Sequence, residues 1–183
     1  MLSSNHIKAA CVLEETFSID MIKILILLMT LPFLISCSQD DSDSLGGNQN
    51  KIDELLIKSS NQINIDGHIL ELHAAIWRDF MPVSPPDGKN LISVNWLVNT
   101  DSTSMPSDIA LVKQFVIHED DIWIADYSGE SRETADYLVE RISRNGPKWG
   151  PDVAVTVIAE VKCLKDDTFY YVRLDNQNIE RTD

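Results

Sequence analysis

Beyond Gln62, hydrophobic and polar residues alternate with a period of two, the spacing at which successive side chains of a strand point to opposite faces. Leu70, Leu72, Ala74 and Ile76 alternate with Glu71, His73, Ala75 and Trp77. Ile92, Val94, Trp96 and Val98 alternate with Ser93, Asn95 and Leu97, which predicts a strand with Trp96 on its core side. Leu111 to Ile117 and Ile122 to Tyr127 flank His118-Glu119-Asp120-Asp121, a hairpin pattern. The longest predicted strand is Val153 to Cys163, with Val153, Val155, Val157, Ala159, Val161 and Cys163 on one face. Lys165-Asp166-Asp167 turns it into Thr168 to Leu174, a second hairpin.

Strong breakers separate these runs: Pro82, Pro85-Pro86-Asp87-Gly88, Met105-Pro106, Ser128-Gly129, Gly146-Pro147 and Gly150-Pro151. Thr134 to Ser143 fits either period, since Ala135, Leu138, Val139 and Ile142 also share a helical face; a strand with a polar approach is favoured. Lys51 to Lys58 predicts two helical turns with Ile52, Leu55 and Leu56 on one side, too short to be stable alone. About seven short strands with β-turn chemistry between them point to an all-β domain over residues 61–183, an antiparallel β-sandwich. Its architecture resembles the immunoglobulin-like sandwich, with Trp96 as the buried central tryptophan, although the paired cysteines of that pattern are missing.

A different pattern precedes the domain. Lys23 is followed by an uncharged run of 12 residues, Ile24 to Ile35, and then by the small residue Ser36, the three-part form of a signal peptide over residues 21–36. The run falls short of the about 20 apolar residues a membrane span needs. Leu34-Ile35-Ser36-Cys37 resembles the lipobox of bacterial lipoprotein precursors. The resemblance implies diacylglycerol on the Cys37 sulfur, cleavage between Ser36 and Cys37, and a membrane partner reached through that lipid. Ser38 behind the cysteine implies the outer membrane, and the acidic run Asp40-Asp41-Ser42-Asp43 resembles the signal of surface-exposed lipoproteins. Residues 1–20 carry Glu14, Glu15 and Asp20 where a leader would be basic, so translation is expected to start at Met21. Residues 37–60 read as a lipidated tether, flexible over residues 38–50 around Gly46-Gly47.

Composition changes this picture in two ways. The net charge of −14 excludes a nucleic-acid partner, which needs a basic patch. Residues 1–36 hold Glu14, Glu15 and Asp20 against Lys8 and Lys23, so nearly all of the acidity belongs to the mature chain. Of the three cysteines, processing would remove Cys11 and lipid would occupy Cys37, leaving Cys163 and no internal disulfide.

Candidate chemistry is sparse. His68, His73 and His118 lack metal-ligand spacing, the His118–Asp121 run lacks the alternating carboxylates of a calcium loop, and no nucleophile elbow occurs. No cofactor or metal is therefore expected, and no enzyme. Cys163 ends a core-facing run and reads as a small buried hydrophobe. Trp149, between Gly146-Pro147 and Gly150-Pro151, reads as a rigid indole at one end of the domain. Trp77 and Trp123 fall opposite their strands' expected core residues and, with Tyr127, suggest an aromatic strip for a glycan or an envelope protein. Against recognition stand the covering of these rings by neighbouring loops, a small hydrolase using His73 or His118 beside a carboxylate, and a purely structural or inhibitor-like sandwich.

Overall fold

A computed structural model of the chain describes residues 43–127, 129 and 135–183. The signal peptide, the lipobox with Ser36 and Cys37, the doubtful start over residues 1–20 and Thr134 lie outside the described residues. The described chain forms one helix, α1 (Asp43–Lys58), and eight strands: β1 (Gln62–Ile65), β2 (His68–Asp79), β3 (Ile92–Asn99), β4 (Ile109–His118), β5 (Asp121–Asp126), β6 (Leu138–Ser143), β7 (Ala154–Cys163) and β8 (Thr168–Thr182).

The all-β class of the domain stands, but the sheet is mixed. Strands run in the order β5-β4-β7-β8-β2-β3-β6, with β1 added on β2. All pairs are antiparallel except β2–β8, where Ile76 to Asp79 run parallel to Ile179 to Thr182. The expected purely antiparallel sandwich is corrected here, because alternation reports side-chain faces and carries no information on strand direction. The hinge of the arrangement is β8. Its first part pairs with β7, an irregularity opposite Val155–Val157 interrupts the register, and its last residues pair with β2. Asn176, at φ 56° inside that irregularity, takes the left-handed conformation that Asn tolerates better than most residues.

Both predicted hairpins form, with Val116 opposite Trp123 in β4–β5 and Val161 opposite Tyr170 in β7–β8. Between β1 and β2 the two residues Asp66 and Gly67, at φ 52° and 91°, make the positive-φ turn that a two-residue hairpin prefers. The segment after residue 134 is a strand from Leu138, as favoured.

One interior serves all eight strands. Leu70, Leu72 and Ile76 of β2, Leu97 of β3, Val116 of β4, Val157, Ala159 and Val161 of β7, and Val172 and Ile179 of β8 meet in it. The sheet curls enough for β3 and β4, with three strands between them in the order, to touch through the 2.6 Å bond from Asn95 Nδ2 to Gln114 Oε1. On β3 the expected faces are reversed. Ser93, Asn95, Leu97 and Asn99 share the face of Leu70, Leu72 and Ile76, while Trp96 lies on the outer face, its indole N–H donating to Glu140 at 2.7 Å.

The helix is longer than predicted and shortens the flexible tether, since residues 43–58 are helical through Gly46-Gly47. Ile52 and Leu55 bury against Phe115, Ile117 and Ile158 on the outer face of β4 and β7. An apolar stripe too short to hold a helix in isolation holds one here because it has a sheet to cover.

Candidate functional site

The loop between β6 and β7, residues 144–153, crosses one end of the curled sheet and builds the site. It is pinned from below by Arg78, the next inward position of β2 after Ile76 and only 4% exposed. The Arg78 guanidinium donates from Nε to Lys89 O at 2.9 Å, and from Nη1 to Lys148 O at 3.1 Å and Gly150 O at 2.8 Å. It also donates to Asp87 O, so one buried cation ties the Pro-rich β2–β3 loop to the Gly/Pro loop. Its desolvation is offset by charge-assisted bonds to four backbone carbonyls. At the surface the same two loops are joined by Lys148 Nζ and Asp87 Oδ2 at 2.5 Å, a bond that holds the Asp87 carboxyl below its ordinary range.

Gly146 is required by close approach. A Cβ there would lie 2.8 Å from Leu91 Cβ and 2.8 Å from the Trp123 ring. Its N–H donates to Leu91 O at 3.1 Å, which seats the loop directly on the start of β3. The far end is held by Asp152 N to Ile179 O at 3.0 Å and Ile179 N to Val153 O at 2.9 Å.

This frame sets Trp149 beside Trp123. Both line a surface recess of about 470 Å³ with Asp121, Ile122, Ile124 and Pro147. The His118 ring sits against Trp149, with centroids 5.4 Å apart and planes tilted by 49°. Both indoles are partly buried and also pack on the core. Trp123 therefore points inward, not to the face opposite the core as expected, because it shares a side with Val116 on a hairpin covered by the core on one face and by α1 on the other.

The other two aromatic candidates are elsewhere. Tyr127 also packs inward; its hydroxyl has no partner among the described residues, and burial pushes its ionisation above the ordinary 10.0. Trp77 stands on the outer face of β2, level with Ile92 and Glu180. The expected strip of Trp77, Trp123 and Tyr127 is thus not formed, while Trp123 and Trp149 are brought together by folding.

A second depression, of about 610 Å³, opens where β2 and β8 part before their parallel pairing. Glu71, His73, Arg173, Asn61, Gln62 and Gln177 line it. His73 Nε2 is 3.8 Å from Glu71 Oε2, and the imidazole is 61% exposed. His118 has Glu119 at 4.0 Å. Cys163 is buried on the inner face of β7. Among the described residues no group of three or more His, Cys, Asp or Glu gathers as a metal array, and no helix is long and apolar enough to cross a membrane.

Two features escape the sequence reading. Arg78 continues the alternation of Leu70, Leu72, Ala74 and Ile76, so its inward position was legible from parity alone. The buried Ser93, Asn95, Gln114 and Ser143 were not, because polar residues in strands read as the solvent face. Comparison with protein-family models, with curated proteins and with solved structures gives no match to this chain.

Proposed function

We propose that this chain is an envelope lipoprotein whose β-domain is a recognition module, with the Trp123–Trp149 recess as its glycan-binding site. The anchor part of the proposal rests on Leu34-Ile35-Ser36-Cys37, with lipid on Cys37 and Ser38 behind it directing the protein to the outer membrane. The acidic residues that follow favour an outward-facing position. The halves β5-β4-β7-β8 and β8-β2-β3-β6, which share one interior, are read as the layers of an immunoglobulin-like sandwich joined through β8.

One observation carries the recognition part: two indoles 26 positions apart in sequence converge on one recess, and the loop bearing Trp149 is held by a buried arginine that donates from all three of its guanidinium nitrogens. Preorganised aromatic surface loses little entropy on binding and stacks on the C–H faces of a pyranose ring. The test is a tryptophan-fluorescence titration of the detergent-purified lipoprotein with a panel of envelope and host oligosaccharides. Saturable change is expected with at least one glycan, and Trp149→Ala is expected to weaken it by about tenfold, the scale of one aromatic contact. A flat response across the panel would sink the glycan reading. Absence of palmitate labelling in Cys37→Ser is expected; normal labelling there would overturn the anchor.

The pair His73–Glu71 favours a second reading, a small envelope hydrolase. It is the weaker one. The 3.8 Å separation exceeds hydrogen-bond reach, the ring stands largely in solvent, and no Ser, Thr or Cys lines the depression. Hydrolysis of an envelope ester or glycoside by the intact protein, abolished in His73→Ala, would reverse this ranking.

A further inference from the structure

We infer that the Trp123–Trp149 recess takes a sugar carrying a protonated amine, an amino sugar with its nitrogen free, in preference to a neutral one. This rests on the recognition reading above and names the ligand class for that site. The recess is lined by two indoles, three aliphatic or proline side chains and one charged group, the Asp121 carboxylate. No lysine or arginine lines it.

The nearby cations are committed elsewhere. Lys148, next to Trp149, is bonded to Asp87 at 2.5 Å; Arg78 is buried among carbonyls; Lys113 lies 3.6 Å from Asp126. Among the described residues Asp120 and Asp121 have no ion-pair partner, and exposed Glu119 stands beside them at the same hairpin turn. Indole faces carry negative potential, so a cation is drawn by the rings and the carboxylate together, whereas a neutral hydroxyl in the same place gains only stacking and a hydrogen bond. The net charge of −14 on the whole chain adds a long-range pull of the same sign.

The experiment compares tetramers of equal length on the detergent-purified lipoprotein: chitosan tetramer with its amines protonated, the fully N-acetylated chitin tetramer, and cellotetraose. Tetralysine serves as a control for charge alone. Chitosan tetramer is expected to bind about tenfold tighter than either neutral sugar, the scale of one charge-assisted contact. Asp121→Asn, a change at an exposed position, should erase that preference, and Trp149→Ala should weaken all three sugars. Equal affinity for the three sugars would overturn the amine assignment while leaving glycan recognition intact. Tetralysine binding as tightly as chitosan, with both insensitive to Trp149→Ala, would reduce the effect to bulk charge and overturn it as well. No response to any of the four probes, together with a flat glycan panel, would remove both readings.

Discussion

The interior of this domain has two walls of equal burial and opposite chemistry. On β7 and β8 the inward residues Val155, Val157, Ala159, Val161, Val172 and Ile179 are all hydrocarbon and at most 3% exposed. The polar wall is formed by Ser93, Asn95 and Ser143 of β3 and β6, met by Gln114 of β4 from its place beside Ala159 of β7, and all four are at most 1% exposed. The first wall stabilises by transfer of apolar surface out of water, about 25 cal/mol per Å². The second gains little from transfer and must recover its desolvation through hydrogen bonds. Asn95 makes two of them, to Gln114 at 2.6 Å and to Ser93 at 3.1 Å. Asn95 Oδ1, Gln114 Nε2 and Ser143 Oγ have no partner among the described residues. The dry wall explains why the sheet collapses at all. The polar wall ties β3 to β4 across the interior through the bond from Asn95 to Gln114.

The largest expected effect comes from making the dry wall resemble the polar one. Val157→Asp places a charge with no partner in the apolar interior and should cost more than about 4 kcal/mol, enough to unfold the domain at room temperature by circular dichroism. A folded variant with a near-normal urea midpoint would mean that this wall is wetter than its exposure indicates.

Next is the reverse exchange. Asn95→Leu alone strands Gln114 and should destabilise by about 1–3 kcal/mol. Adding Gln114→Leu removes the stranded group as well and should recover most of that loss, because replacing both partners of a buried bond is close to neutral. Strictly additive losses in the double-mutant cycle would show that the two amides do not act as a latch.

The smallest effect is at Tyr127. Its hydroxyl has no partner among the described residues, so Tyr127→Phe should change stability by no more than about 0.5 kcal/mol, in either direction. Burial raises the folded-state ionisation of Tyr127 above the ordinary 10.0. Tyr171, partly buried and donating to Glu160, is pushed up to about 12. The unfolded chain therefore loses these protons first, and stability should fall as pH rises past about 10. Tyr127→Phe should make that decline shallower; an unchanged slope would indicate that the phenol is reached by solvent.

Strand spans and parity were legible at several places. Val155, Val157, Ala159, Val161 and Cys163 share one face of β7, and Leu70, Leu72 and Ile76 one face of β2, as their alternation requires. On β3 the residues sharing a face were also grouped correctly, but the wrong group was placed inside. Val94 and Ile142, 2% and 4% exposed, are buried on the outer face, so β3 is covered on both sides and hydrophobicity no longer marks the interior. Trp123 misled for the same reason, with α1 behind its hairpin and the core in front. Within the candidate site, Trp149 and its Gly/Pro frame could be named from sequence, whereas its partnership with Trp123, and Arg78 as the clamp on the loop that bears Trp149, could not.

From the residues alone, though not for the Asp66-Gly67 turn or the run of β8 past Leu174 to Thr182, one can derive the central parts of most strands, which side chains share a face, and the turns at the two Gly/Pro pairs. These are properties of short segments, set by backbone sterics and the two-residue repeat of a strand. Only the tertiary structure decided which face turned inward, that β8 passes from β7 to a parallel partner in β2, and that Trp123 and Trp149 share a recess. Those outcomes depend on what packs against each strand, and a strand's own sequence records its two faces without recording what will cover them.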